Sequence, residues 1–127
     1  MTPKEIIEGN QLIVEFYGDI SGITSYPDEG YEFHSSWDWL MPVVEKIESI
    51  KDEYHGRFGV HISSNTCTIQ ATNFRSNERM AEPPYYFITV TVNTKLDATW
   101  LVVVQFIKWY NFEKTLKNEL IETPKLI

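Results

Sequence analysis

A single cysteine, Cys67, excludes an internal disulfide and a cysteine-rich zinc centre. No apolar run approaches the roughly 20 residues that a membrane-spanning helix needs; the longest reaches only from Trp100 to Val104. The start, Met1-Thr2-Pro3-Lys4-Glu5, lacks the apolar stretch of a signal peptide, so the chain reads as cytoplasmic. Positive charge is scarce: 11 Lys and Arg face 18 Asp and Glu, and the net charge of −7 repels phosphate backbones. Nonspecific nucleic-acid binding is therefore not expected. Nor are the acids massed into a run that would form an acidic tail.

Catalytic motifs are missing too. The three histidines, His34, His55 and His61, have no HExxH or paired-Cys spacing, and nothing resembles GxSxG. Gly56 and Gly59 bracket Arg57 and Phe58 ahead of a strand, not a helix, so no phosphate-cradling loop is formed. The acid pairs Asp28–Glu29 and Asp52–Glu53 are sequence neighbours, whereas acid–base work needs carboxylates set across a cleft. Cys67 alternates with polar neighbours and reads as a buried structural thiol. The expectation is a non-enzymatic chain with no catalytic residues, metal or cofactor.

What is present is the material of one globular domain. The chain has 127 residues, 43% hydrophobic and 23% charged, enough to bury a core without staples. Aromatics reach 14%, which suits a core, an interface or a pocket lining.

The elements follow from local signals. Thr2, Pro3 and Glu5 form a capping box with proline at the first helical position. Gly9 and Asn10 interrupt; Leu12, Ile13, Phe16 and Tyr17 then carry a broken helix to Gly18, although Leu12 to Tyr17 also fits a strand. Residues 19–33 are turn-rich. Ser35 and Asp38 make a second capping box ahead of a stripe of Trp37, Leu40, Val44, Ile47 and Lys51. Pro42 either kinks that helix or starts it. Phe58, Val60 and Ile62 mark one strand, and Cys67, Ile69 and Ala71 mark a second across a tight Ser64-Asn65 turn. Tyr85 to Val92 makes a third. Thr94 and Asp97 cap a last helix that is apolar all round: Leu96, Trp100, Val103, Val104, Ile107 and Tyr110 on one face, Val102, Phe106 and Trp109 on the other. The expected fold is α+β, two to three helices on a small three-stranded antiparallel sheet in the order α-α-β-β-β-α. Enclosing a helix fully is hard in so small a domain, so Val102, Phe106 and Trp109 are expected at a homo-oligomer interface. The segment 114–127 reads as a polar, frayed tail of the single domain.

One constellation suggests a ligand. Tyr31, His34, Ser35, Ser36, Trp37 and Trp39 gather at a helix N-terminus, which favours anions. Arg75 and Arg79 are able to clamp phosphate, and Tyr85 and Phe87 offer stacking faces. The expected site thus comprises Tyr31, His34, Ser35, Ser36, Trp39, Arg75, Arg79, Tyr85 and Phe87, with a small anionic, nucleotide-derived ligand. The plain alternative places Trp37 in the core, Trp39 against the last helix and the arginines in solvent.

"HSSWDWLMPVVEKIES" (34–49) and "VNTKLDATWLVVVQFIKWYN" (92–111) resemble small proteins encoded by phages and prophages of Bacteroidota. The layout is similar to the phage ABA sandwich domain: an apolar N-terminal helix such as "QLIVEFYG" (11–18), an acidic-aromatic loop, a helix with V-V-E-K, a hairpin and a final apolar helix, here more aromatic. The resemblance implies a phage accessory protein that acts by binding. It would sequester a nucleotide signal of host defence as a homo-oligomer, or alternatively engage a host or phage protein as an interaction module.

Overall fold

The computed structural model describes residues 2–18, 31–52, 56–71 and 87–122, those at 52, 87 and 116–122 by their backbone. Helix α1 spans Pro3–Tyr17 without a break. Its capping box is complete: the Glu5 N–H donates to Thr2 Oγ1 at 3.1 Å, and the Thr2 N–H donates to Glu5 Oε1 at 2.7 Å. Gly18, at φ 91°, ends it and donates to the Val14 carbonyl. The helical reading of 12–17 therefore holds, and the interruption at Gly9 and Asn10 does not occur. Both residues are buried inside the helix, so tertiary packing supplies what local propensity withholds.

Helix α2 spans Trp37–Ser49 and continues through Pro42. Ser36 is its N-cap and makes no side-chain cap bond. The expected box at Ser35 and Asp38 is not formed, because Ser35 belongs to the preceding turn, its N–H donating to the Glu32 carbonyl. Trp39, Leu40, Val43, Val44 and Ile47 are the buried face, with Trp37 only half-buried.

A short strand β1 (Lys51–Asp52), missed by the sequence reading, precedes β2 (Gly56–Ser63), β3 (Thr66–Ala71) and β4 (Phe87–Thr91). β2, β3 and β4 form the expected three-stranded antiparallel sheet, and β1 adds to its β2 edge, giving the order β1-β2-β3-β4. Ser63 pairs with Thr66 across the two-residue turn, where Ser64 takes φ 54°. Alternation sorts the faces. Phe58, Cys67, Ile69 and Ala71 are buried. The other face carries exposed His61 and a threonine ladder, with Thr66 and Thr91 hydroxyls 2.8 Å apart and Thr68 and Thr89 3.1 Å apart.

Helix α3 spans Lys95–Glu122, passing Lys114 without a break. Thr94 caps it, its hydroxyl accepting from the Asp97 N–H at 3.0 Å. The two apolar faces of the helix are covered by its own chain, and Gln105 and Lys108 remain exposed. Phe58 of β2 meets Phe106 at 5.0 Å between ring centres and Trp109 at 5.9 Å. Phe16 of α1 reaches Phe106 and Tyr110 edge-on from another side. Val102 and Phe106 are 0% exposed in the single chain, and Trp109 is half-buried. The expectation of an oligomer interface on this face is thereby corrected: the sheet occupies the position assigned to a second subunit. Among the described residues, no helix is long and apolar enough to cross a membrane.

Candidate functional site

Of the expected ligand constellation, the described residues are Tyr31, His34, Ser35, Ser36, Trp39 and the backbone of Phe87. Trp39 is 6% exposed, its ring set edge-on at 5.0 Å from Phe33, with Tyr31 alongside at 6.4 Å. A tryptophan so enclosed has no face for a base to stack on, which corrects its assignment. Arg75, Arg79 and Tyr85 lie outside the described residues. Phe87 opens β4 opposite Gln70, and only its backbone is described. Ser35 is exposed and Ser36 half-buried. Among the described residues, no group of three or more His, Cys, Asp or Glu is placed to hold a metal ion.

Tyr31 and His34 do come together, around a residue the sequence reading passed over. Asn10 is 4% exposed and uses its whole amide. Its Oδ1 accepts from Trp100 Nε1 at 2.8 Å; its Nδ2 donates to the Tyr31 carbonyl at 3.1 Å and lies 3.0 Å from His34 Nδ1. An indole N–H only donates and a backbone carbonyl only accepts, so these two partners fix which way the amide points. His34 Nδ1 must then accept, which places the imidazole proton on Nε2. The hub thus joins α1, α3 and the segment before α2 through side chains rather than backbone.

Next to that hub lies a groove. α1 and α3 approach closely at Gly9: a Cβ there would stand 2.5 Å from Trp100 Cη2 and 3.1 Å from Val104 Cγ2. Beside this contact the two helices line an open volume of about 560 Å³, with the buried Trp100, Val104 and Gly9 at its base. Ile7, Leu12 and Leu101 add apolar walls. Glu5 and Glu8 stand on the α1 side and Lys108 on the α3 side. The Glu5 carboxyl is held below its ordinary value, first by the Thr2 backbone N–H, with Lys108 among the lesser contributors. Ile7 is 68% exposed, the most solvent-open large apolar side chain described. Glycine within a helix was the available signal for this site, since it costs about 1 kcal/mol against alanine and therefore implies close approach.

A second hollow, of about 290 Å³, is lined by Glu15, Phe16, Lys46, Ile50, Tyr110, Asn111 and Lys114. Its chemistry is explained within the fold. Lys46 Nζ donates to the Phe16 carbonyl at 3.0 Å and the Tyr17 carbonyl at 3.2 Å, and lies over both rings. It closes the negative end of α1.

Compared with protein-family models, curated proteins and solved structures, the chain matches none of them.

Proposed function

We propose that the protein is a non-catalytic interaction module that receives an apolar-faced helical segment of a protein partner in the α1–α3 groove. The observation that carries this reading is the groove itself: apolar at its base, open to solvent and lined by Glu5, Glu8 and Lys108 as well. Its volume falls in the range of about 300–1,000 Å³ typical of binding sites. Grooves between two helices suit an amphipathic helix, whose apolar side chains enter while its flanks meet a polar rim. A rigid floor helps, because little ordering is required on binding; Trp100 is pinned by Asn10.

An anionic ligand would meet Glu5 and Glu8 here, on a chain of net charge −7. That electrostatic setting favours a partner with basic flanks over a nucleotide. The resemblance of 34–49 and 92–111 to phage accessory proteins supports action by binding, and supports a host or phage protein as the partner.

The test uses a fluorescent peptide with a leucine stripe flanked by lysines, titrated with dilute protein and read by anisotropy. Ile7→Glu puts a charge on the groove wall at an exposed side chain that does not pack in the buried core. Affinity should fall about tenfold or more in that variant. Equal affinity for both proteins would remove the groove from the reading.

A further inference from the structure

We infer that the outer edge of β4 is a second docking surface, which takes an extended segment of another protein as an added strand of the sheet. The inference does not rest on the α1–α3 groove.

The two sides of the sheet differ. In the order β1-β2-β3-β4, β1 and β4 are the ends. On the β2 side the chain closes its own edge. β1 pairs with Gly56 and Arg57, and beyond it the Val60 N–H donates to Glu48 Oε2 at 3.4 Å. A carboxylate held against that amide repels the carbonyls of an incoming strand. β4 has no such guard. Its pairing with β3 fixes which backbone groups face outward. The Val92 N–H donates to the Asn65 carbonyl, and antiparallel bonding alternates along a strand, so Val90 and Ile88 also bond inward, to Cys67 and Ile69. The N–H and C=O of Thr89 and Thr91 therefore point away from the sheet, and among the described residues nothing meets them.

The side chains agree. Protected edge strands carry charge or proline, and residues 87–94 have neither. Ile88 and Val90 are half-buried, whereas their cross-strand partners Ile69 and Cys67 are 0% exposed. The apolar face of the sheet thus runs past its cover. An added strand continues the ladder from Thr89 and Thr91 and lays apolar side chains beside Ile88 and Val90. On the opposite face it meets exposed Thr89 and Thr91, which suits small polar residues. The occupant is therefore an extended segment that alternates apolar and hydroxyl side chains, held through its main chain.

Hydrogen exchange of the full chain, read by NMR, tests this. The amides of Thr89 and Thr91 should exchange about tenfold or more faster than those of Ile88 and Val90. A peptide of alternating valine and threonine, with lysine at each end, should then slow them about tenfold. The same peptide N-methylated on its threonines, whose N–H groups would face Thr89 and Thr91, should not. Thr89→Pro removes an outward N–H and keeps the inward bonds of both neighbours, so it should weaken the peptide about tenfold. Ile7→Glu, in the groove, should leave this binding unchanged. Thr89 and Thr91 amides already slow in the protein alone would show the edge occupied and overturn the inference. So would a peptide that leaves both amides unaltered, or one that binds equally well when N-methylated.

Discussion

The Trp100 indole donates to Asn10 Oδ1 at 2.8 Å, joining residues 90 apart in sequence and tying the first helix to the last. The ring forms the base of the groove, and the amide that holds it also holds Tyr31 and His34. Packing of the groove and placement of the segment before α2 are therefore one structural matter.

Asn10→Ala removes three hydrogen bonds and leaves the buried Trp100 N–H and the Tyr31 carbonyl without their partner. A loss of about 2–4 kcal/mol is expected from urea unfolding. Asn10→Asp keeps an acceptor for Trp100 but loses both donations, so it should not rescue stability. In ¹⁵N-imidazole spectra near neutral pH, His34 should show the proton on Nε2, and this preference should weaken in Asn10→Ala. A wild-type His34 protonated on Nδ1 would contradict the hub.

Gly9→Ala sets two effects against each other. Alanine is the better helix former by about 1 kcal/mol. Its methyl, however, would lie inside contact distance of the Trp100 ring, and overpacking costs about 1–3 kcal/mol. The ring is pinned by Asn10 and cannot yield cheaply, so net destabilisation is expected by denaturant midpoint. A stabilised Gly9→Ala would mean the two helices are farther apart than described.

Lys46→Gln should lower stability by about 1 kcal/mol, through the contacts that Lys46 makes with the Phe16 and Tyr17 carbonyls and rings. Hydrogen exchange should rise in the last turn of α1 and leave the sheet unchanged. A uniform rise across the chain would assign Lys46 a global role instead.

Burial pushes the Cys67 thiol above its ordinary value of 9.0, with hydrogen bonds involving Thr99 and Thr68 partly offsetting the shift. The sign follows from linkage. Above about pH 9 the unfolded thiol ionises while the folded one stays neutral, so stability falls as pH rises toward the folded value. Cys67→Val lacks this term. The difference in unfolding free energy between the two proteins should therefore change between about pH 8 and 10, moving against wild type. A difference independent of pH would show that the thiol is not desolvated.

The fold was largely legible in the sequence because its signals are local and mutually consistent. Thr2–Glu5 and Thr94–Asp97 start helices where expected, Ser64-Asn65 turns the hairpin, and Cys67, Ile69 and Ala71 face the core. Long-range facts were not legible. Val102 and Phe106 looked like a spare face because nothing local says that both will be buried, Phe106 against Phe58. Trp39 looked available until its ring met Phe33. Asn10 read as a helix interruption, although its partners lie 21, 24 and 90 residues away. Gly9 was the one sign of the groove that sequence could have offered.

The most direct test of the central claim is an assigned ¹H–¹⁵N spectrum recorded while the leucine–lysine peptide is added. The largest shifts should fall on the Trp100 indole and on the backbone amides of Glu8, Gly9, Leu12, Leu101 and Val104. Shifts confined to His34, Ser35 and Ser36, or to the threonine face of the sheet, would contradict the assignment of the groove as the binding surface.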